Sequence, residues 1–332
     1  MMDSLRTATS VRVGGGPELR VRERYETHSA IVLLAGEYAL KVRKPVRLPF
    51  LDYSTRARRC DATDAELALG RRISPWVYLG AWSLVVGTLP TLIQEARRGE
   101  PALAMTALHA RRRLDVLVAR SKAPRVPARF DDVADFCAAL HARCPVDRSP
   151  DGWGNVDNTW NAWSLNFSQL PDDDPTVPLA ASERQDLVDG TRHWWQAHVD
   201  VMRQRVLEGR VREGHGDLRI EHVYLGARIS LIDPLEFSQH LRFADVASEV
   251  GFIAMELREA GRADLAHRFV ERYAAATQDA SLRSVLPFFV RYRAVVRGKV
   301  EWIRATQLTG RERARALERS RALFQLAYRA TL

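Results

Sequence analysis

A chain of 332 residues with 46% hydrophobic and 27% charged residues is long enough for one large domain or two modest ones around a sizeable core, which excludes disorder as its main state. Its 19 Gly and 15 Pro follow no triplet period, which excludes a collagen-like or low-complexity chain. Fifty basic against 41 acidic residues give a formal charge of +9, but the arginines are interleaved with acids, which favours a solvated Arg-rich surface over a nucleic-acid footprint. The longest apolar stretch, residues 79–89, is too short and interrupted to cross a bilayer. Residues 1–16 carry charges and three consecutive glycines without an apolar core, so a cytoplasmic address is expected, with no membrane partner. Cys60, Cys137 and Cys144 form no CxxC and cannot all pair, as in a reducing compartment. Only four of the fifty basic residues are Lys, at 41, 44, 122 and 299, so each marks a position where a point charge replaces the usual planar fork.

Taken in chain order, residues 30–34 and 38–42 are β-prone runs joined by Ala35-Gly36-Glu37, the pattern of an antiparallel hairpin. A helix is predicted over 55–73, and strand character returns over 77–89 with Gly80 and Gly87 as punctuation. Beyond residue 101 the text becomes helical. Val133, Phe136, Cys137 and Leu140 share one helical face within 131–143, and 183–207, 245–259, 286–306 and 311–330 behave alike. Residues 145–154 and 170–178 are loops rich in Pro, Gly and Asp, and no internal repeat is present. The composition shift at 101–107 divides a small β-rich part from a larger α-rich part, an arrangement expected to leave a ligand-binding cleft.

The segment 212–237, REGHGDLRIEHVYLGARISLIDPLEF, carries the densest chemistry. Asp217 lies on a loop with His215, Arg219 and His222, and an apolar hairpin delivers Asp233 sixteen residues later. A loop carboxylate can accept or orient a hydroxyl proton, and a second one can hold Mg²⁺ against phosphate oxygens, which is what phosphoryl transfer requires. The kinase signature H-R-D-L-x-x-x-N overlies HGDLRIEH position for position, with His222 where Asn is expected.

On these residues the sequence resembles the aminoglycoside phosphotransferase-like family of the protein-kinase-like superfamily, in a poorly characterised bacterial branch. The likeness rests on His215-Gly216-Asp217-Leu218-Arg219, on Ile232-Asp233-Pro234-Leu235-Glu236-Phe237, on the run LRFADVASE at 241–249, and on Glu26-Thr27-His28-Ser29 leading to Tyr38-Ala39-Leu40-Lys41-Val42. It implies an α+β, two-lobed protein-kinase-like fold. Residues 1–105 would form a small antiparallel β-rich nucleotide-binding lobe, and 106–332 a mainly helical lobe for catalysis and acceptor binding. It further implies transfer of the γ-phosphate of ATP, or GTP, to a hydroxyl of a small molecule such as a sugar, amino sugar or related metabolite.

In that resemblance Asp217 is the catalytic aspartate, and Arg219 stands where protein kinases keep a Lys near the γ-phosphate. Lys41 contacts the α and β phosphates, with Glu66 on the following helix as its expected partner. Thr27, His28 and Ser29 form the turn over the phosphates, although the usual Gly-rich loop is absent. His215 holds the loop, and Asp245 both caps a helix and braces the loop from below. Asp233 and the position of His222 bind Mg²⁺. His222 offers imidazole nitrogen instead of an amide oxygen, so either Mn²⁺ is preferred or tolerated, or His222 hydrogen-bonds the loop and Asp233 holds the metal with water. Glu236, Glu249 and Glu256 either give the acceptor site negative charge or pair with nearby Arg. The alternative reading is a pseudokinase-type nucleotide-binding regulatory protein that has lost transfer.

Overall fold

The computed structural model describes residues 1–48, 51–85, 87, 89–94, 99–171 and 174–330. Val86 and Thr88 of the strand-like stretch 77–89, and Asp172 and Asp173 of the loop 170–178, lie outside the described residues. The chain divides into two compact units, Met1–Arg113 with His222–Ser238, and Leu114–Glu221 with Gln239–Leu332.

The first unit opens with a short helix α1 (Met2–Thr7) and strands β1 (Ser10–Val13), β2 (Glu18–Glu26), β3 (Ala30–Ala35) and β4 (Tyr38–Arg43). A two-residue pair, β5 (Arg47–Leu48) and β6 (Leu51–Asp52), precedes helix α2 (Arg56–Ile73), which is followed by β7 (Tyr78–Val85), β8 (Thr91–Ile93) and β9 (Glu100–Thr106). Seven strands close into a barrel in the order β1-β2-β3-β4-β9-β7-β8, antiparallel except where β1 meets β8. Strand alternation sorts the side chains. Ile31, Leu33, Leu40, Val42, Ala102 and Ala104 enter one apolar cluster with Leu5, Val11 and Trp82. Ala39, Leu103 and Met105 join a second cluster with Val77 and Tyr78. Lys41 and Arg43 follow Ala39 at period two along β4, so they share the face opposite Leu40 and Val42.

Helix α2 starts where the Thr55 hydroxyl accepts the Arg58 amide at 3.3 Å. Its buried residues, Arg59, Thr63, Glu66, Leu69, Gly70 and Ile73, recur at helical spacing and form one stripe. Gly70 is needed on that stripe because a Cβ there would meet the Tyr78 ring at 2.3 Å.

The second unit begins with α3 (Leu114–Arg120), α4 (Phe130–Arg143), β10 (Val146–Asp147), α5 (Val156–Ser168), α6 (Ala181–Leu207) and β11 (Val211–Glu213). The chain then returns to the first unit for a hairpin, β12 (Val223–Leu225) and β13 (Ile229–Leu231), paired Val223↔Leu231. It re-enters the second unit for α7 (Gln239–Arg242), β14 (Phe243–Asp245), α8 (Val246–Glu259), α9 (Ala263–Thr277), α10 (Leu282–Thr306) and α11 (Gly310–Arg329). β10, β11 and β14 form a small antiparallel sheet. Helix α8 is buried along almost its whole length, and Gly251 on it lies against Phe289 of α10. Phe288 gathers an aromatic cluster, stacking on Trp194 at 5.3 Å and touching Trp163 and Trp195. A β-rich first unit and a mainly helical second one are the α+β arrangement that the sequence implies.

Arg205 of α6 is fully buried and ties three segments of the second unit together. Its Nε and one terminal nitrogen grip both Asp245 oxygens at 2.7 Å, and its terminal nitrogens reach the two Asp279 oxygens at 2.7 and 3.0 Å. Removing one member of such a network strands the remaining charges in the interior. Arg205→Met is expected to destabilise the protein by about 3–5 kcal/mol, read from urea unfolding, whereas a loss below about 1 kcal/mol would mean that solvent reaches the two carboxylates.

Candidate functional site

In the first unit, the β4 face carrying Lys41 and Arg43 meets the polar stripe of α2. The Lys41 ammonium lies 3.0 and 2.9 Å from the two oxygens of Glu66 and 2.5 Å from Asp233 Oδ1. Arg43, itself buried, donates to Thr63 Oγ1 at 3.0 Å, to Glu66 Oε2 at 2.5 Å and to Glu236 Oε1 at 2.9 Å. Its guanidinium sits 5.3 Å from the Tyr53 ring centroid, and the Tyr53 hydroxyl bonds Glu236 as well. Burial works against the charged form of Lys41, but Asp233 and Glu66 outweigh it, so its pKa stays above the ordinary lysine value.

Asp233 is delivered by the β12–β13 hairpin. The Leu231 amide donates to Ser74 Oγ at 2.9 Å, Trp76 Nε1 donates to Ser230 Oγ at 2.8 Å, and the Asp233 amide donates to the Tyr78 hydroxyl at 2.9 Å. Asp233 adopts φ 62°, a left-handed conformation that Asp tolerates better than most residues and that recurs at functional sites. Its side chain is 49% exposed, against 1% for Glu66.

His222 Nε2 lies 3.9 Å from Asp233 Oδ2. Ligand atoms about 2.1 Å from one ion are at most about 4.2 Å apart, so both groups can reach the same cation. Among the described residues no three His, Cys, Asp or Glu side chains converge on a metal site. One carboxylate and one imidazole would leave a divalent ion to take its other ligands from water and phosphate, and the imidazole nitrogen suits Mn²⁺ better than Mg²⁺.

The expected phosphate turn, Thr27, His28 and Ser29, links β2 to β3 and is closed by the Thr27 side chain together with the Thr27 amide, which donates to the Ala30 carbonyl at 2.9 Å. Thr27 Oγ1 accepts the Ser29 and Ala30 amides at 3.3 and 3.1 Å, and Lys44 Nζ donates to the Thr27 carbonyl at 2.5 Å. Partial burial, helped by Lys44, lowers the His28 pKa.

In the second unit, the loop after β11 carries Asp217, with His215 fully buried two residues before it. Glu249 of α8 holds this loop. One oxygen accepts the Gly216 amide at 2.7 Å, and the other meets His141 Nε2 at 2.9 Å, while His141 Nδ1 meets the Tyr273 hydroxyl at 2.7 Å. Burial alone would raise the Glu249 pKa, but the bond and charge of His141, with His215 and the Gly216 amide, bring it down to about 2. Gly214 makes room, since a Cβ there would lie 2.4 Å from Glu249 Oε1. One α8 stretch further on, Glu256 accepts from Arg219 Nε and from the Ile220 amide, both at 2.8 Å, and Arg219 also pairs with Glu221.

The structure thus brings Lys41, Glu66, Asp233 and His222 together in one unit and places Asp217 and Arg219 on one loop in the other. Of the two alternatives for the carboxylates, pairing holds for Glu236 with Arg43 and for Glu256 with Arg219, while Glu249 meets His141 instead of an arginine. Asp245 caps α8 at the Ala247 amide and pairs with Arg205, so the carboxylate that braces the loop is Glu249. Arg43 is a site residue that sequence reasoning missed, although its spacing of two from Lys41 on a strand was the signal for it.

The fold is that of the aminoglycoside phosphotransferases, within the protein-kinase-like architecture. The GDP complex of aminoglycoside 2'-phosphotransferase-IIIa superposes with a TM-score of 0.52 at 15% identity, over 93% of each chain. A thermostable mutant of aminoglycoside phosphotransferase APH(4)-Ia gives 0.50 at 14% identity, over 92% of this chain and 95% of that one. In sequence, the chain is 31% identical over 287 residues to uncharacterised proteins of Mycobacterium tuberculosis and Mycobacterium bovis. Those matches cover 85% of this chain but 55% of each relative, so the chain spans about half the length of the curated relatives it matches. No protein-family model matches it.

A carboxyl whose folded pKa lies below its ordinary value stabilises the fold above that ordinary value and loses its contribution as the pH falls. Glu249 should therefore contribute fully above pH 4.5 and progressively less towards pH 2. Unfolding midpoints of Glu249→Gln should change less with pH over that window than those of the wild type. Equal slopes would show that the carboxylate does not carry the loop's acid sensitivity.

Proposed function

We propose that this chain is a phosphotransferase that moves the γ-phosphoryl group of ATP or GTP to a hydroxyl of a small molecule. The observation that supports this most is the Lys41 ammonium held by both oxygens of the buried Glu66 and by Asp233. A lysine at rest between a helix carboxylate and an exposed aspartate suits a cation that engages phosphate while a metal takes the aspartate. In this reading Lys41 binds the α and β phosphates, Glu66 orients it, and the turn of Thr27, His28 and Ser29 lies over the nucleotide. Asp233 and His222 would hold the divalent ion. Mg²⁺, when bound, supplies the positive charge that neutralises the transferring phosphate.

Asp217 orients the acceptor hydroxyl and takes its proton as the new oxygen–phosphorus bond forms and the bond to the nucleoside diphosphate breaks. Arg219 belongs to the same centre. Its bonds to Glu256 and Glu221 fix the loop that presents Asp217. On the acceptor side, the second unit has a pocket lined by Trp153, Asn158, Thr159, Phe243, Ser248 and Tyr292, among others. Arg293, also in that lining, comes within 3.5 Å of the Gly216 carbonyl, next to Asp217. Aromatic faces with amide and hydroxyl groups favour a sugar-like metabolite, and Glu249 and Glu256 are engaged internally.

Asp217→Ala is expected to lower phosphate transfer by about 10²–10⁴-fold, while ATP affinity stays within a few-fold of wild type. Lys41→Ala should instead weaken ATP binding. Calorimetric titration of ATP with Mg²⁺, paired with an ATP-consumption assay over a panel of sugars and amino sugars, reads both effects. Binding without turnover by the wild type on any acceptor would return the nucleotide-binding regulatory reading to first place.

His222→Asn replaces imidazole nitrogen by a harder amide oxygen. The ratio of activity with Mg²⁺ to activity with Mn²⁺ should rise in this variant, as measured by titrating each metal at fixed ATP. An unchanged ratio would take His222 out of the metal's ligand set.

A further inference from the structure

The charge cluster around Lys41 holds more than the pair that kinase-like chemistry calls for. Two cations, Lys41 and Arg43, face three carboxylates, Glu66, Asp233 and Glu236. Glu66 Oε2 is shared, at 2.9 Å from Lys41 and 2.5 Å from Arg43. Of the five side chains only Asp233 is substantially exposed, at 49%, whereas Arg43 is 1% exposed and Glu236 8%. Within this group of five side chains, removing Arg43 would leave Lys41 facing all three acids.

We propose that Arg43 is a positioning residue that sets how firmly Lys41 is held. By neutralising Glu236 and half of Glu66, it keeps the hold on the ammonium weaker than unshared carboxylates would make it, which eases its turn towards an incoming phosphate. This rests on the reading of Lys41 as the phosphate-binding lysine. The physical argument has two parts. Arg43 repels the Lys41 ammonium while its bonds draw Glu66 density away, so both effects weaken the hold on Lys41. Arg43 also keeps the cluster at one negative charge in excess instead of two, which limits repulsion of a polyphosphate. The β4 register makes the arrangement possible, because residues 41 and 43 must face α2 together.

The geometry further assigns the anchoring of Glu236. Its Oε1 takes Arg43 at 2.9 Å and also the Tyr53 hydroxyl, and it lies three residues after Asp233 on the same segment. Arg43 thereby links the helix carboxylate that orients Lys41 to the segment that carries Asp233, through one guanidinium. A bracing role alone and a charge-dividing role predict different rescues. Arg43→Lys restores charge without the planar fork. Arg43→Met combined with Glu236→Gln removes one charge of each sign and keeps a polar partner for Tyr53.

The test titrates ATP by calorimetry into the full chain, once with EDTA and once with Mg²⁺, and follows urea unfolding of each protein. Arg43→Met is expected to weaken ATP binding by about tenfold in both conditions. Arg43→Lys and Arg43→Met/Glu236→Gln are expected to recover most of that loss, even where their urea midpoints stay below wild type. Wild-type binding matched by Arg43→Met would overturn the proposal and leave the reading of Lys41 intact. Weak binding in all three variants, falling in step with the urea midpoint, would overturn it too, since Arg43 would then only brace the fold. Absence of ATP binding by the wild type would overturn the reading of Lys41 and this proposal with it.

Discussion

Glu66 is buried in the first unit, and a carboxylate in that position is tolerable only if its charge is met by cations and its lone pairs are filled. Lys41 and Arg43 do both, which requires strand β4 to present two long basic side chains to one turn of α2. That requirement propagates. The barrel register puts Leu40 and Val42 inside, the α2 stripe puts Thr63 and Glu66 against the strand, and Gly70 lets the end of the helix approach Tyr78. Tyr78 in turn receives the Asp233 amide, so the packing that seats Glu66 also seats the aspartate that contacts Lys41.

The second unit solves a parallel problem with different residues. The loop bearing Asp217 must keep the Gly216 amide out of water without losing its hydrogen bond, and Glu249 on a well-packed helix accepts it with one oxygen while the other meets His141 of α4. Against burial, His141 and the Gly216 amide favour the ionised form of Glu249 and hold its pKa below the ordinary carboxylate range. Arg205 plays the same part for Asp245 and Asp279, so an interior rich in charge is stabilised by matched networks, each of which is costly to open. The heavy use of arginine noted in the composition has its structural counterpart in these forks, where one guanidinium serves two carboxylates.

The phosphotransferase reading draws on these two centres together with a fold shared with aminoglycoside phosphotransferases. At 15% identity that likeness concerns architecture, and the relatives of higher identity are about twice as long as the matched region. The pocket of the second unit is lined by more aromatic and hydroxyl-bearing side chains than carboxylates.

Much of this was legible in the sequence. Period-two runs marked β3 and β4, the 3.6-residue period marked α2, α4, α6, α8, α10 and α11, and the spacing of Asp217 from Asp233 marked a loop followed by a hairpin. Lys41 stood out because lysine is rare in this chain. Local pattern is enough for such features because it arises from backbone geometry that each segment carries by itself. Closure of the barrel through the parallel β1–β8 pair was not legible, nor was the return of residues 222–238 to the first unit, since both depend on partners far away in the chain. The same holds for the fates of the acids. Glu236, Glu249 and Glu256 look alike in sequence, and only the tertiary structure decided that the first and last would meet an arginine and Glu249 a histidine in the interior, because a buried carboxylate's partner is chosen by three-dimensional proximity and by the cost of leaving it unpaired.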